Sequence, residues 1–284
     1  TGSTTRYPNV KRRVRLKYAA TSVAEYSYLL DDAVWAGADR QIFGKYHSNK
    51  GARMDGSHNS LVTSAATTWL CGSSFGCSAS SCPTGCSKQG NDCLCPGVFG
   101  ASPASDLWQY PVPPFDFNAL TTNLAQMKTL AQSLGKYYGP SKNFNPQGKG
   151  YHLILKNNGQ FDLKIITSLG QSYGYSLENG WHWDYHIIQS EVNQDLDVSS
   201  LAGCGLIFLE DNLWIEGVTK GKLTVAAANL IDANQDVGVI FNNSLAYTTL
   251  DGSDSLALVT QRDLLIPLYS PSDMILAGVF LSQK

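Results

Sequence analysis

Apolar residues towards the C-terminal end fall into short runs with a common layout. Leu206 to Leu213, Leu223 to Leu230, Gly238 to Leu245 and Ala257 to Leu264 each combine an apolar stretch, a short link, a polar residue and a closing leucine. The closing leucines stand 17, 15 and 19 residues apart, and a fifth run, Met274 to Leu281, keeps the beat. Such a period is too short for a strand–helix–strand unit and too long for a plain hairpin repeat. It predicts stacked coils of a β-solenoid, in which no coil can bury its apolar side alone. The coils are expected over residues 205–281, with Ile207, Val225, Ile240, Leu258 and Ile275 pointing inward. Asp211-Asn212, Asn242-Asn243 and Asp251-Gly252 supply the corner chemistry.

One stretch has a different period. Phe117, Leu120, Leu124, Met127, Leu130 or Ala131, and Leu134 form a stripe at helical spacing. Asp116 is placed to cap it, and Gly135 with Gly139-Pro140 ends it. This predicts a single amphipathic helix over about 117–134 that lies on the coils or plugs their open end. Tyr151 to Ile166 alternates on both sides of Asn157-Asn158-Gly159, the signature of a hairpin. A strand over 181–187 puts Trp181, Trp183, Tyr185 and Ile187 on one face and His182, Asp184 and His186 on the other.

Upstream, 33–62 is turn-rich, with short strands around a Ser-Asn-Lys-Gly turn. Residues 1–32 read as an N-terminal strand arm, because Val14, Leu16 and Tyr18 alternate with Arg15 and Lys17. The basic residues of this arm suit an edge strand guarded against aggregation better than a dock for an acidic partner. The fold class that follows is mainly β: a solenoid-like stack with one amphipathic helix and a disulfide-rich loop, in a single ectodomain over 33–284.

Composition supports strands and turns. The chain is 43% hydrophobic and only 15% charged, with 26 Gly and 14 Tyr. A net charge of −2 gives no reason to expect nucleic acid as a partner. Six of the seven cysteines, Cys71, Cys77, Cys82, Cys86, Cys93 and Cys95, lie in one loop, 71–95. Their gaps are irregular and no His lies among them, which favours three disulfides over a zinc knuckle. Spacing does not choose the pairing. Disulfides imply an oxidising, extracellular setting. The loop is otherwise rich in Gly, Ser, Pro and Asn, and reads as displayed without a core role. Cys204, the odd one, is a buried thiol or a partner for one of the six.

No motif of a serine hydrolase, zinc protease, nucleotide-binding loop or haem site appears. No cofactor is expected, with calcium the one ion that spacing suggests, at Asp232, Asn234 and Asp236, although the turn glycine comes one residue late. The His182, Asp184 and His186 face is a weaker candidate for a transition metal. His47 and His58 read as hydrogen-bonded turn residues, and Asn242-Asn243-Ser244 matches a glycosylation sequon. Tyr173, Tyr175, Trp181 and Trp183 are candidate binding residues, suited to stacking on sugars. Glu210, Asp211 and Glu216 are the acids a polysaccharide-acting β-helix enzyme would use.

Six stretches together resemble the ectodomain of bacterial minor-pilin-like, prepilin-type pilus assembly proteins. They are Ile42 to Asn49, Met54 to Val62, Val112 to Asn118 with the helix after it, Gly150 to Leu155, Gly205 to Gly217, and Asp251 to Leu256. The resemblance implies stacked β-coil segments and a non-catalytic structural or adhesive subunit of a filament or bacterial cell surface. It implies other filament subunits as partners, a second copy among them, with a host or neighbouring cell surface or glycan as further ones. Members of the group carry an apolar N-terminal helix, which is not in this sequence. Membrane attachment is therefore expected only through an anchor outside this chain. The alternatives are a carbohydrate-binding module and a polysaccharide-acting enzyme.

Overall fold

The computed structural model describes residues 2–4, 7–12, 26–176, 180–195, 205–232 and 234–283, with side chains from 26 onward except 118–123. The strand expected around Val14 and Tyr18, and Cys204, lie outside the described residues. The chain is mainly β, with one α-helix and three disulfides among the described residues. It divides into two compact units, Thr1–Pro114 and Phe115–Lys284.

In the first unit, β1 (Gly2–Thr4) and β2 (Tyr7–Arg12) pair antiparallel. Short parallel strands follow. β3 (Tyr26–Leu30), β4 (Val34–Ala36) and β5 (Gln41–Ile42) are matched by β6 (Lys45–Ser48), β7 (Ala52–Met54) and β8 (Ser57–His58), each pairing with the strand three places earlier. β9 (Val62–Ser64) then pairs with β6. The chain next makes a small antiparallel sheet from β10 (Thr68–Cys71), β11 (Ser87–Gln89) and β12 (Asp92–Pro96). It returns as β13 (Val98–Phe99) beside β7 and β14 (Trp108–Gln109) beside β9. Ala36, Ile42, Tyr46, Ala52, Met54, Val62 and Val98 form the core between these passes. The Ser48 hydroxyl donates to the Asp32 carbonyl at 2.7 Å, tying the turn of one pass to that of the next.

The second unit opens with α1 (Asn118–Leu134). Phe117 precedes it without a side-chain cap, so the cap expected from Asp116 is displaced by one residue. The helix stops at Gly135, where a Cβ would sit 2.4 Å from the Leu206 carbonyl oxygen. Leu124, Met127 and Ala131 pack against Leu206, Phe208, Ala226 and Ala228, so the helix lies on a sheet. Leu130 and Leu134 are exposed.

Strands β15 (Lys136–Tyr138), β16 (Tyr151–Leu155), β17 (Phe161–Ser176), β18 (Gly180–Asp195), β19 (Leu206–Leu209), β20 (Leu213–Thr219), β21 (Lys222–Ala227), β22 (Val239–Tyr247), β23 (Ser255–Thr260), β24 (Leu264–Leu265) and β25 (Val279–Ser282) form two sheets. One is all parallel, in the order β15-β19-β21-β23-β25. The other is parallel through β16-β20-β22-β24 and extended by the antiparallel β17 and β18. The chain passes from one sheet to the other and back. Ile207, Val225 and Leu258 stand in register and share a core with Leu153, Ile215 and Phe241 of the facing sheet.

Two sequence expectations are corrected here. The even leucine spacing counts strands of two sheets as one series. Leu206 stands beside Thr224 and Thr224 beside Ala257, steps of 18 and 33 residues, while β22 belongs to the other sheet. The inward set therefore shifts. Val239 and Phe241 enter the core, so Ile240 faces the opposite way and is buried against Trp214 and Ile166. Ile275 is 60% exposed, and its neighbours Met274 and Leu276 make the core contacts.

Candidate functional site

The β17–β18 hairpin brings the four predicted aromatic residues together. Tyr173 pairs with Trp183 and Tyr175 with Trp181 across the two strands. The Tyr173 ring lies 5.5 Å from that of Trp181 at 23°, and 5.0 Å from that of Trp183 at 50°. Tyr175 meets Trp181 edge-on at 5.9 Å and 66°. Tyr185, next in the alternation, adds a fifth exposed ring. All five are 52 to 68% exposed. The rings of Tyr173, Tyr175, Trp181 and Trp183 touch, but they do not form a flat row.

The other side of the hairpin is anchored. Asp184 is buried, accepts from the Leu268 amide at 3.0 Å and binds His186 Nδ1. Trp214 Nε1 and the Tyr269 hydroxyl donate to the His186 carbonyl at 2.8 and 3.2 Å. His182 Nδ1 bonds the Gly180 carbonyl at 3.0 Å. The His182, Asp184 and His186 face is thus occupied by packing and hydrogen bonds. Gly174 lies on this side too, and a Cβ on it would lie 3.1 Å from the Leu268 side chain.

At the hairpin base lies a cluster that the sequence did not reveal. His152 is buried, with Nδ1 2.8 Å from Glu191 and Nε2 3.2 Å from Glu216. Lys164 pairs with the other Glu191 oxygen, and Asn242 Nδ2 donates to Glu216 at 3.0 Å. The four strands β16, β17, β18 and β20 each contribute one ionisable group. Burial alone would lower the His152 pKa, but hydrogen bonds to Glu216 and Glu191 outweigh it and raise it. Burial opposes ionisation of Glu191, yet Lys164 and His152 hold its carboxyl below the ordinary value. Glu216 is lowered first by its hydrogen bond to His152. The only sequence signal was a histidine inside an apolar strand.

The remaining candidates serve local structure. Glu210 is fully buried, 2.6 Å from Lys128 Nζ and hydrogen-bonded by the Tyr137 hydroxyl. Burial and that hydrogen bond push the Tyr137 pKa up to about 12. Asp211 accepts from the Ser141 amide and hydroxyl at 2.9 and 2.6 Å. The three acids are therefore tied to separate partners. Asp232 accepts from the Asn234 amide at 3.0 Å, and Asp236 from Gln261 at 3.1 Å, so these oxygens hold a turn together. Asn242 of the sequon is bonded to Glu216 and Tyr269. His47 bridges Thr63 and Asn49, and His58 bridges Ser60 and Trp108.

The six loop cysteines pair as Cys71–Cys77, Cys82–Cys93 and Cys86–Cys95. With Trp69, Phe75 and Phe99 they make a core of their own, which corrects the expectation of a loop without one. Arg53 reaches the Phe75 carbonyl at 2.8 Å while its Nε bonds Asp55, also at 2.8 Å. Among the described residues, the group of three or more metal-ligating side chains close enough to hold an ion is Cys71, Cys77 and Cys95, whose sulfurs are spent in disulfides. No family model, no curated protein and no solved structure matches this chain.

Proposed function

We propose that the chain is a non-catalytic extracellular subunit of a pilus-like filament or bacterial cell surface, built on parallel β-solenoid coils and making contact through its aromatic hairpin. The observation that carries this is a group of four touching, solvent-exposed rings, with the exposed Tyr185 next in the alternation, on a hairpin anchored along its other side. Exposed clusters of Trp and Tyr are where binding energy concentrates. The coil reading is supported by the in-register parallel pairs and by the passage from sheet to sheet. Three disulfides support an oxidising compartment. The separate engagement of Glu210, Asp211 and Glu216 weighs against a hydrolytic pair. The pilus assignment rests on the sequence resemblance. A glycan platform is the second reading, favoured by the near-parallel Tyr173 and Trp181 and disfavoured by the 50° and 66° tilts of the other pairs.

Antibody labelling of intact source cells tests the proposal. Label on filaments or the cell surface without permeabilisation is expected. Label only after permeabilisation, or polysaccharide turnover by the purified chain that Glu216→Gln abolishes, would overturn it.

A further inference from the structure

We infer that the aromatic face of the β17–β18 hairpin pairs with the same face of a second copy of this chain. This rests on the reading of the hairpin as the contact surface and names its partner. The first argument is area. At about 150–250 Å² per ring residue, five side chains exposed by 52 to 68% present on the order of 600 Å². That lies at the upper end of the roughly 300–600 Å² of the largest apolar patch on a typical monomer, where such patches are often functional, and approaches the roughly 800 Å² each partner buries in a standard interface.

Charge is the second argument. A two-fold contact sets a surface against itself, so any unpaired charge on it meets its own copy. The ionisable side chains of β18 are engaged away from the rings. His182 Nδ1 bonds the Gly180 carbonyl, Asp184 and His186 bind each other, Glu191 binds His152 and Lys164, and Asp195 accepts from the Tyr138 hydroxyl at 2.6 Å. Among the described residues, what remains on the aromatic face is neutral and therefore compatible with itself.

The third argument is the backbone. Among the described residues β18 ends its six-stranded sheet. Natural edge strands are usually guarded by charge, proline or a covering segment. Here the exposed positions near the tip carry Trp181, Trp183 and Tyr185. A second copy set face to face against this end of the hairpin would bury those rings.

Sedimentation equilibrium of the whole chain across a concentration series tests this. A reversible rise to twice the monomer mass is expected, lost on replacing Trp181→Ser together with Trp183→Ser. The melting temperature should hold, because both side chains are exposed. As a check independent of any variant, acrylamide quenching of the wild-type indoles should weaken as the dimer forms. A wild-type chain that stays monomeric with fully quenchable indoles overturns the inference. So does monomeric protein that instead binds a neutral polysaccharide through these rings. Either result leaves surface display, tested on intact cells, standing on its own.

Discussion

His152 holds two carboxylates from two different strands, and the sign of each shift sets how the protein responds to pH. Its pKa is raised above the ordinary 6.5, so its contribution is complete below that value and is lost as pH rises through the folded pKa. Glu191 and Glu216 are lowered below 4.5, so theirs is present above that value and fades as pH falls through their folded pKa values. The cluster therefore stabilises most between 4.5 and 6.5. His152→Ala should cost about 2–3 kcal/mol at pH 6, because two glutamates lose their shared donor. The loss should shrink towards alkaline pH, read from urea unfolding at both ends. An equal loss at every pH would mean the site is packing alone. The aromatic positions were legible because alternation is local. His152 was not, because Glu191 and Glu216 come from strands distant in sequence.

The same contrast holds for elements. The helix and the Asn157–Gly159 hairpin follow periods contained in single segments, and both stand where expected. The passes of the first unit were hidden. Their strands are two to five residues long and place small residues such as Ala36 and Ala52 in the core, which leaves no hydrophobic rhythm. In the second unit the leucines kept a rhythm that mixed two sheets. The Gly and Ser content of the cysteine loop hides its core, because cysteine is itself apolar when buried. Removing 72–94 strips Cys77, Cys93 and Phe75 from Trp69, Cys71 and Phe99, and takes the Phe75 carbonyl from Arg53. The deletion should destabilise the first unit by about 3 kcal/mol or more. Unchanged thermal unfolding would show that the loop core is dispensable.

For the molecule as a whole, three disulfides point to an oxidising setting, and among the described residues no helix is long and apolar enough to cross a membrane. Among the described residues the parallel passes of each unit build a core of their own, and the hairpin rings belong to neither, which leaves them as a surface the scaffold itself does not use. Oxidative labelling of tryptophan tests that claim most directly, in the dilute purified chain and in the native assembly. Trp181 and Trp183 should oxidise readily in the dilute chain and be protected several-fold in the assembly, while buried Trp214 stays protected in both. Equal oxidation of Trp181 and Trp183 in the two states would contradict the account.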